Sequence, residues 1–150
     1  MTLNSNASAT LDGLQDVQAA VRDAITGYET MHGKAEPSFK PLVAHILDLH
    51  RRHDAELVAM LAATDEVSQT SGSWMSAVHQ GVVTVRSWFD EIDHGLLPQV
   101  IDGERRIIET YEEALAAEHP SWATKALEQQ RDQVAGLISE LARKTPSIST

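Results

Sequence analysis

The sequence predicts an all-α protein, a bundle of four long helices. Apolar residues recur at intervals of three and four along four stretches of the chain, the spacing of a buried helix face. No stretch shows the alternation or the richness in β-branched residues that predicts a strand. The chain has 150 residues, 42 % of them hydrophobic, enough for one domain with a substantial core. We therefore expect a single helical domain.

The first two helices have recognisable start and stop signals. Residues 1–9 are small and polar, which predicts a disordered tail before a single domain over residues 10–145. Helix one is predicted from about Leu11 to His32, where a following glycine is well placed to end it. Helix two is predicted from about Ser38 to Ala63, with prolines near its start, where a missing N–H costs little.

A long insertion separates these helices from the last two. A polar loop leads into a short crossover helix, predicted from Trp74 to Phe89. Helix three is predicted from Pro98 to about Glu118 and helix four from Trp122 to about Lys144. Residues 146–150 read as a second disordered tail. The apolar face of the crossover helix is too large to leave in water, so we expect it to cover the bundle or form a homodimer interface.

Composition excludes several classes of partner. The formal net charge is −10, which argues against nucleic acid or an anionic membrane as the main partner. There is no cysteine, so disulfides, zinc–thiolate sites and cysteine nucleophiles are excluded. The chain has no apolar run of about 20 residues and no signal-peptide pattern at its start, so a cytoplasmic location is expected.

Polar residues interrupt the buried stripes of three helices at mid-length. They are His50 and His53 in helix two, Glu104 in helix three and Gln130 in helix four. A carboxylate or imidazole on a buried face must be hydrogen-bonded, neutralised or bound to a ligand. Helical bundles build metal and cofactor sites from such facing polar groups. A site in the bundle core is therefore the leading functional question.

Three interpretations of these residues stay open. His50 and His53 share a helix face, and with Glu104 they would supply two imidazoles and a carboxylate, with Gln130 as a neighbour, for a single Fe or Zn ion. Alternatively, Glu104 accepts hydrogen bonds from either histidine, and Gln130 and the two tyrosine hydroxyls complete a buried network without metal. A third possibility is that Leu49 replaces His50 on the core face and moves that histidine to the rim.

Three segments then suggest a family. They are Gly103-Glu104 with Tyr111-Glu112-Glu113-Ala114-Leu115, Ser71-Gly72-Ser73 with Ala77-Val78-His79-Gln80-Gly81, and Asp23 with Gly27-Tyr28. In this order the chain resembles, over residues 11–142, a bacterial branch of the ferritin-like four-helix bundles classed as a domain of unknown function. The resemblance implies an up-down-down-up bundle with the crossover between helices two and three.

The resemblance also implies which metal ligands are missing. Ferritin-like di-iron proteins use one Glu from each of two helices and a Glu-x-x-His from each of the other two. Glu104 matches one lone Glu, but Ile25 stands near the other, and helix four contains no histidine. We therefore expect a degenerate metal site, no resident cofactor, and a non-enzymatic structural, interaction or stress-related protein. A hemerythrin-like carrier needs more histidines, spread over several helices.

Two smaller predictions concern glycines and peripheral histidines. Gly27, Gly103 and Gly136 lie inside helical patterns, and we expect close helix packing at each. His32, His94 and His119 lie at helix ends or in loops, and we expect them to be solvated.

Overall fold

The computed structural model describes residues 2–65 and 93–144, apart from the side chains of residues 2–8 and 65. Every regular element in this part of the chain is helical, which confirms the all-α prediction. The elements are α1 (Thr2–Lys34), α2 (Lys40–Asp65), a short 3-10 helix (His94–Leu96), α3 (Leu97–Leu115) and α4 (Ser121–Lys144). None of these helices is long and apolar enough to cross a membrane.

The helix bounds differ from the predicted ones mainly at the start of the chain. α1 includes residues 2–9, which the sequence analysis assigned to a disordered tail. Thr10 and Leu11 are already buried, so packing holds the helix from that point onward, and the residues before them continue it. The predicted crossover helix, with its docking or dimer face, lies outside the described residues, as do residues 146–150.

Helix packing brings all four helices around one interior. α1 packs along α2 and also against α3, while α4 packs against α3 and touches α2 at fewer points. Between α1 and α3, Thr10 meets His119 just beyond α3, and Tyr28 meets Glu104. Between α2 and α4, His53 meets Gln133 and His45 meets Glu140. The interior is therefore lined by all four helices.

The apolar core is divided into two clusters. One contains Met31, Phe39, Ile46 and Leu97, and the other contains Leu14, Val17, Leu57 and Tyr111. On α2 and α3 the buried polar residues His50, His53 and Glu104 fall between the two clusters in sequence. The polar side chains thus occupy the middle of the bundle, and each half keeps its own apolar core.

Two of the three glycines predicted to permit close helix packing do not do so. A Cβ added at Gly103 or Gly136 would meet nothing within 4 Å, so the prediction of close helix packing is wrong at both positions. The close approach is at Gly13 instead, where a Cβ would lie 3.3 Å from Ala114 Cβ and 3.4 Å from His119 Cε1. The contact of α1 with the end of α3 therefore depends on the small size of Gly13.

His119 was also mispredicted, because it is not simply solvated. Its Nδ1 lies 2.9 Å from the Thr10 hydroxyl, and its Nε2 bonds to the carbonyl oxygen of Ala114. Since a carbonyl can only accept, Nε2 carries the proton, and Nδ1 of a neutral ring accepts from Thr10. The loop after α3 is in this way fastened to α1.

Candidate functional site

Glu104 lies at the centre of the buried polar residues. Its side chain is fully buried, as its place in the buried stripe of helix three predicted, and it contacts His50 on α2. His50 Nε2 lies 2.9 Å and 3.0 Å from its two carboxylate oxygens. The Tyr28 hydroxyl donates to Oε2 across 2.6 Å. One carboxylate therefore joins α1, α2 and α3.

The carboxylate of Glu104 determines which ring nitrogen of His50 donates. An ionised carboxylate only accepts hydrogen bonds, so His50 must donate from Nε2. In a neutral ring this leaves Nδ1 as a bare acceptor, and within the described residues this buried atom has no hydrogen-bond partner. The His50 ring also stacks on Tyr28, with centroids 5.9 Å apart and planes 13° from parallel. The alternative register with Leu49 in place of His50 does not apply, because both side chains are buried.

His53 turns away from Glu104 towards α4. Its Nε2 lies 2.7 Å from Gln133 Oε1, and its ring is 6.3 Å from the His50 ring, edge to face. Like that of His50, its Nδ1 is buried and has no hydrogen-bond partner among the described residues. Burial lowers the pKa of His53, and the bond to Gln133 opposes this shift only in part. The environment therefore favours the neutral imidazole.

A second chain of hydrogen bonds joins α2, α3 and α4. The Tyr111 hydroxyl donates to Gln130 Oε1 across 2.7 Å. The Gln130 amide donates to Glu56 Oε1 at 2.7 Å and reaches the backbone carbonyl of His53 at 3.5 Å. Gln130 is fully buried, and these bonds satisfy both the oxygen and the nitrogen of its side-chain amide.

Both tyrosine hydroxyls are held in their protonated form. Burial raises the pKa of Tyr28 well above its usual value, and the neighbouring Glu104 charge raises it further. Burial likewise raises the pKa of Tyr111, with smaller effects from Glu104 and Glu56. Each hydroxyl is therefore a permanent donor near neutral pH, which is the role it has in these networks.

The structure brings together only some of the predicted metal ligands. His50 and Glu104 are in direct contact, whereas His53 is bonded to Gln133, and Gln130 to Tyr111 and Glu56. Within residues 2–65 and 93–144, no group of three or more His, Asp or Glu side chains is arranged to hold a metal ion. The metal site at His50, His53 and Glu104 stays a prediction.

Sequence reasoning missed a third polar cluster, between α1 and α2. Gln18 is 2 % exposed and donates to Asp54 Oδ1 at 3.3 Å. Arg22 Nε lies 2.9 Å from the same oxygen. The available signal was the position of Gln18 directly after Val17, on the edge of the buried stripe, with Arg22 one turn further along.

A groove opens beside the central carboxylate, between α1 and α3. Its volume is about 460 Å³, within the range of small-molecule sites. Tyr28 and Glu104 line it on the buried side, and the small residues Ala24, Gly27 and Gly103 line its walls. The polar centre of the bundle is thus adjacent to a surface depression.

Comparison with known proteins identifies a family without a known role. No curated protein and no solved structure matches the chain. The sequence model of one family, described as "Domain of unknown function (DUF2383)", matches residues 9–117, which include most of α1 and all of α2 and α3. This match covers more than half of the 150 residues, and the chain therefore belongs to the DUF2383 family.

Proposed function

We propose that the chain is a ferritin-like bundle with up-down-down-up helix directions. The contact pairs support this arrangement. Thr10, early in α1, contacts His119 after the end of α3. Tyr28, late in α1, contacts Glu104, which is nearer the start of α3. Along α2 and α4, His45 pairs with Glu140 and His53 with Gln133. Both pairs of helices are therefore antiparallel, as that topology requires.

Within this fold, the buried polar residues serve a structural role in a non-enzymatic bundle. The observation that carries this proposal is that Glu104 directs its carboxylate to His50 and Tyr28. A carboxylate that accepts from two buried donors has little capacity left for a metal, and removing it would leave both donors unpaired. The residues that the sequence assigns to a degenerate metal site would then form a hydrogen-bonded network that aligns three helices.

Metal analysis of the purified protein tests this proposal. We expect substoichiometric iron, and only a small rise in melting temperature with added Zn²⁺ or Ni²⁺, because stabilisation by a weak ligand grows as RT ln(1 + [L]/Kd). A His50→Ala, His53→Ala double variant should remove any such rise. The matched control is His45→Ala, which changes an exposed histidine on the same helix. Two iron atoms per chain in the purified protein would contradict the proposal.

A mononuclear metal centre is the second candidate. It is favoured by the two buried Nδ1 atoms of His50 and His53, which have no hydrogen-bond partners in the described part of the chain. Metal-binding histidines characteristically donate their other ring N–H to a carboxylate or carbonyl oxygen, and here Glu104 and Gln133 accept from the two Nε2 atoms. The centre predicted from the sequence would bind a single Fe or Zn ion with His50, His53 and Glu104. In the folded geometry the two Nδ1 atoms would be its nitrogen ligands, and Glu104 is bonded to His50 Nε2. X-ray absorption of zinc-loaded protein would detect imidazole ligands by the scattering from their rings, which an ion held by carboxylate oxygens alone would lack.

We also propose a homodimer, a cytoplasmic location and a role in stress or metal handling. The dimer proposal rests on the apolar face predicted for residues 74–89, and the other two rest on composition and family resemblance. Sedimentation of wild type and of a Trp74→Asp variant tests the dimer. A variant with the same sedimentation and the same melting temperature as wild type would contradict it.

A further inference from the structure

We propose that the groove between α1 and α3 binds a small organic cation that carries an apolar body. The groove has a volume of about 460 Å³, and its inner surface is formed in part by Tyr28 and Glu104. Both of these side chains are more than nine-tenths buried. Tyr28 and Glu104 also belong to the structural network proposed above, but binding in the groove can be tested separately from that role.

Tight helix packing does not explain the glycine in the wall of the groove. Gly103 forms part of the wall, and a Cβ at this position would meet nothing within 4 Å. A glycine inside a helix costs about 1 kcal/mol relative to alanine. No steric contact in the described structure requires glycine here, so the residue leaves volume in the groove that a side chain would fill.

The charges that line the groove favour a cation. Three acidic residues, Asp23, Asp102 and Glu104, line the groove, against one cationic residue, Arg106. Asp102 also lies 3.6 Å from the guanidinium of Arg105, so its charge is partly offset. Asp102 and Arg106 are exposed, and Glu104 lies on the buried side, so the negative groups extend from the entrance to the interior. A cation entering here meets a negative potential along its path.

The remaining lining suits an apolar body rather than a bare ion. Met31, Val100 and Ile107 contribute apolar surface, and Ala20 and Ala24 add small apolar groups. Ligand sites are mostly apolar, with a few polar groups that fix orientation. An alkylammonium ion combines both features, with its charged end near the carboxylates and its chain along the apolar wall.

Three probes of the same length separate charge recognition from simple apolar fit. Binding of hexylamine, hexanol and hexanoate to the full chain is measured by calorimetry, with melting temperature as a second readout. We expect hexylamine to bind at least about tenfold more tightly than hexanol, on the scale of a charge-assisted contact. Hexanoate should be the weakest of the three. Equal binding of all three, or no binding by hexylamine, would overturn the proposal.

Substitutions at two glycines locate the site. Gly103→Leu should fill the groove and weaken hexylamine binding by about tenfold or more, without loss of folding. Gly136→Leu is the matched control, because that glycine is also within a helix with open space around it, but not in the groove. Asp23→Asn should reduce hexylamine binding and leave hexanol binding unchanged. Full hexylamine affinity in Gly103→Leu would show that the amine binds elsewhere and would refute the assignment.

Discussion

Tyr28 and Glu104 are joined by a hydrogen bond of 2.6 Å between two buried side chains, one on α1 and the other on α3. The same carboxylate accepts from His50 on α2, so a single group connects three of the four helices. In an interior of low dielectric constant such a bond is strong, and leaving one of its members unpaired is costly.

Removing the two tyrosine hydroxyls should have unequal effects. Tyr28→Phe deletes a donor to a carboxylate and should lower the free energy of unfolding by roughly 1.5–3 kcal/mol. Tyr111→Phe deletes a donor to the neutral amide of Gln130 and should cost about 0.5–1.5 kcal/mol. Urea denaturation of both variants measures the difference. A smaller loss for Tyr28→Phe than for Tyr111→Phe would show that the Glu104 bond is not the stronger one.

Replacing Glu104 separates its hydrogen-bonding role from its charge. Glu104→Gln keeps an acceptor oxygen and an amide that can still bond to a neutral imidazole, so we expect a loss of only ~1–2 kcal/mol. Glu104→Leu leaves the Tyr28 hydroxyl and the His50 ring N–H unpaired in the core, and should cost about 3–5 kcal/mol, the range for breaking a buried pair. Both values come from urea denaturation. Similar stability of the two variants would argue against the network.

Sequence reasoning found the helices, the residues of the polar centre and several of their partners: the network alternative paired Glu104 with a histidine and included both tyrosine hydroxyls. It did not find the partner of His53. The apolar spacing was enough to place Glu104 and His50 in the core, because each interrupts a stripe whose direction is fixed by its neighbours. Helix periodicity does not give the rotation of a side chain about its own bonds. His53 therefore contacts Gln133 instead of Glu104, and no pattern in the sequence distinguishes the two.

The glycines illustrate a second limit of the sequence. Gly13 and Gly136 both lie within helices, yet only Gly13 has neighbours closer than 4 Å, namely Ala114 and His119. Whether a mid-helix glycine permits close packing depends on which residues of another helix lie opposite. That information is in the packing of the folded chain, and local sequence does not contain it.

Gly13→Ala and Gly136→Ala should change the free energy of unfolding by different amounts or in opposite directions. Gly136→Ala gains helix propensity without new contacts and should stabilise the protein by about 1 kcal/mol. Gly13→Ala places its Cβ 3.3 Å from Ala114 Cβ, so the strain of separating α1 from α3 offsets or exceeds the same gain. Thermal unfolding of both variants measures the contrast. Equal stabilisation at the two positions would contradict the close contact at Gly13.

Acidification should destabilise the protein in part through His53. Burial lowers the pKa of His53 in the folded state below its usual value of 6.5. The unfolded chain therefore takes up the proton first as pH falls. The stabilisation is present above pH 6.5 and is lost as pH falls through the folded-state pKa.

The test is to measure the free energy of unfolding of wild type and His53→Gln between pH 8 and the onset of acid unfolding, about pH 4. The variant keeps a donor towards Gln133 but has no titrating ring, so its stability should depend less steeply on pH. His45→Gln, on the exposed part of α2, should follow the wild-type curve. Identical pH dependence in wild type and His53→Gln would exclude this contribution.

Alkaline titration should report on the two tyrosines together. The chain has only two, Tyr28 and Tyr111, and the pKa of each is raised by burial. The folded state keeps both protons above pH 10.0, the usual tyrosine pKa, whereas the unfolded chain releases them near that pH. The stabilisation is therefore present below pH 10.0 and is lost as the pH rises above it.

Phenolate absorbance near 295 nm should then appear in one step that coincides with the loss of helical circular dichroism. Tyr28→Phe should halve the amplitude and move the step to lower pH, because the variant is less stable. Phenolate absorbance that rises near pH 10.0 while the helical signal is intact would mean that a tyrosine is accessible in the folded protein, and would contradict the buried networks.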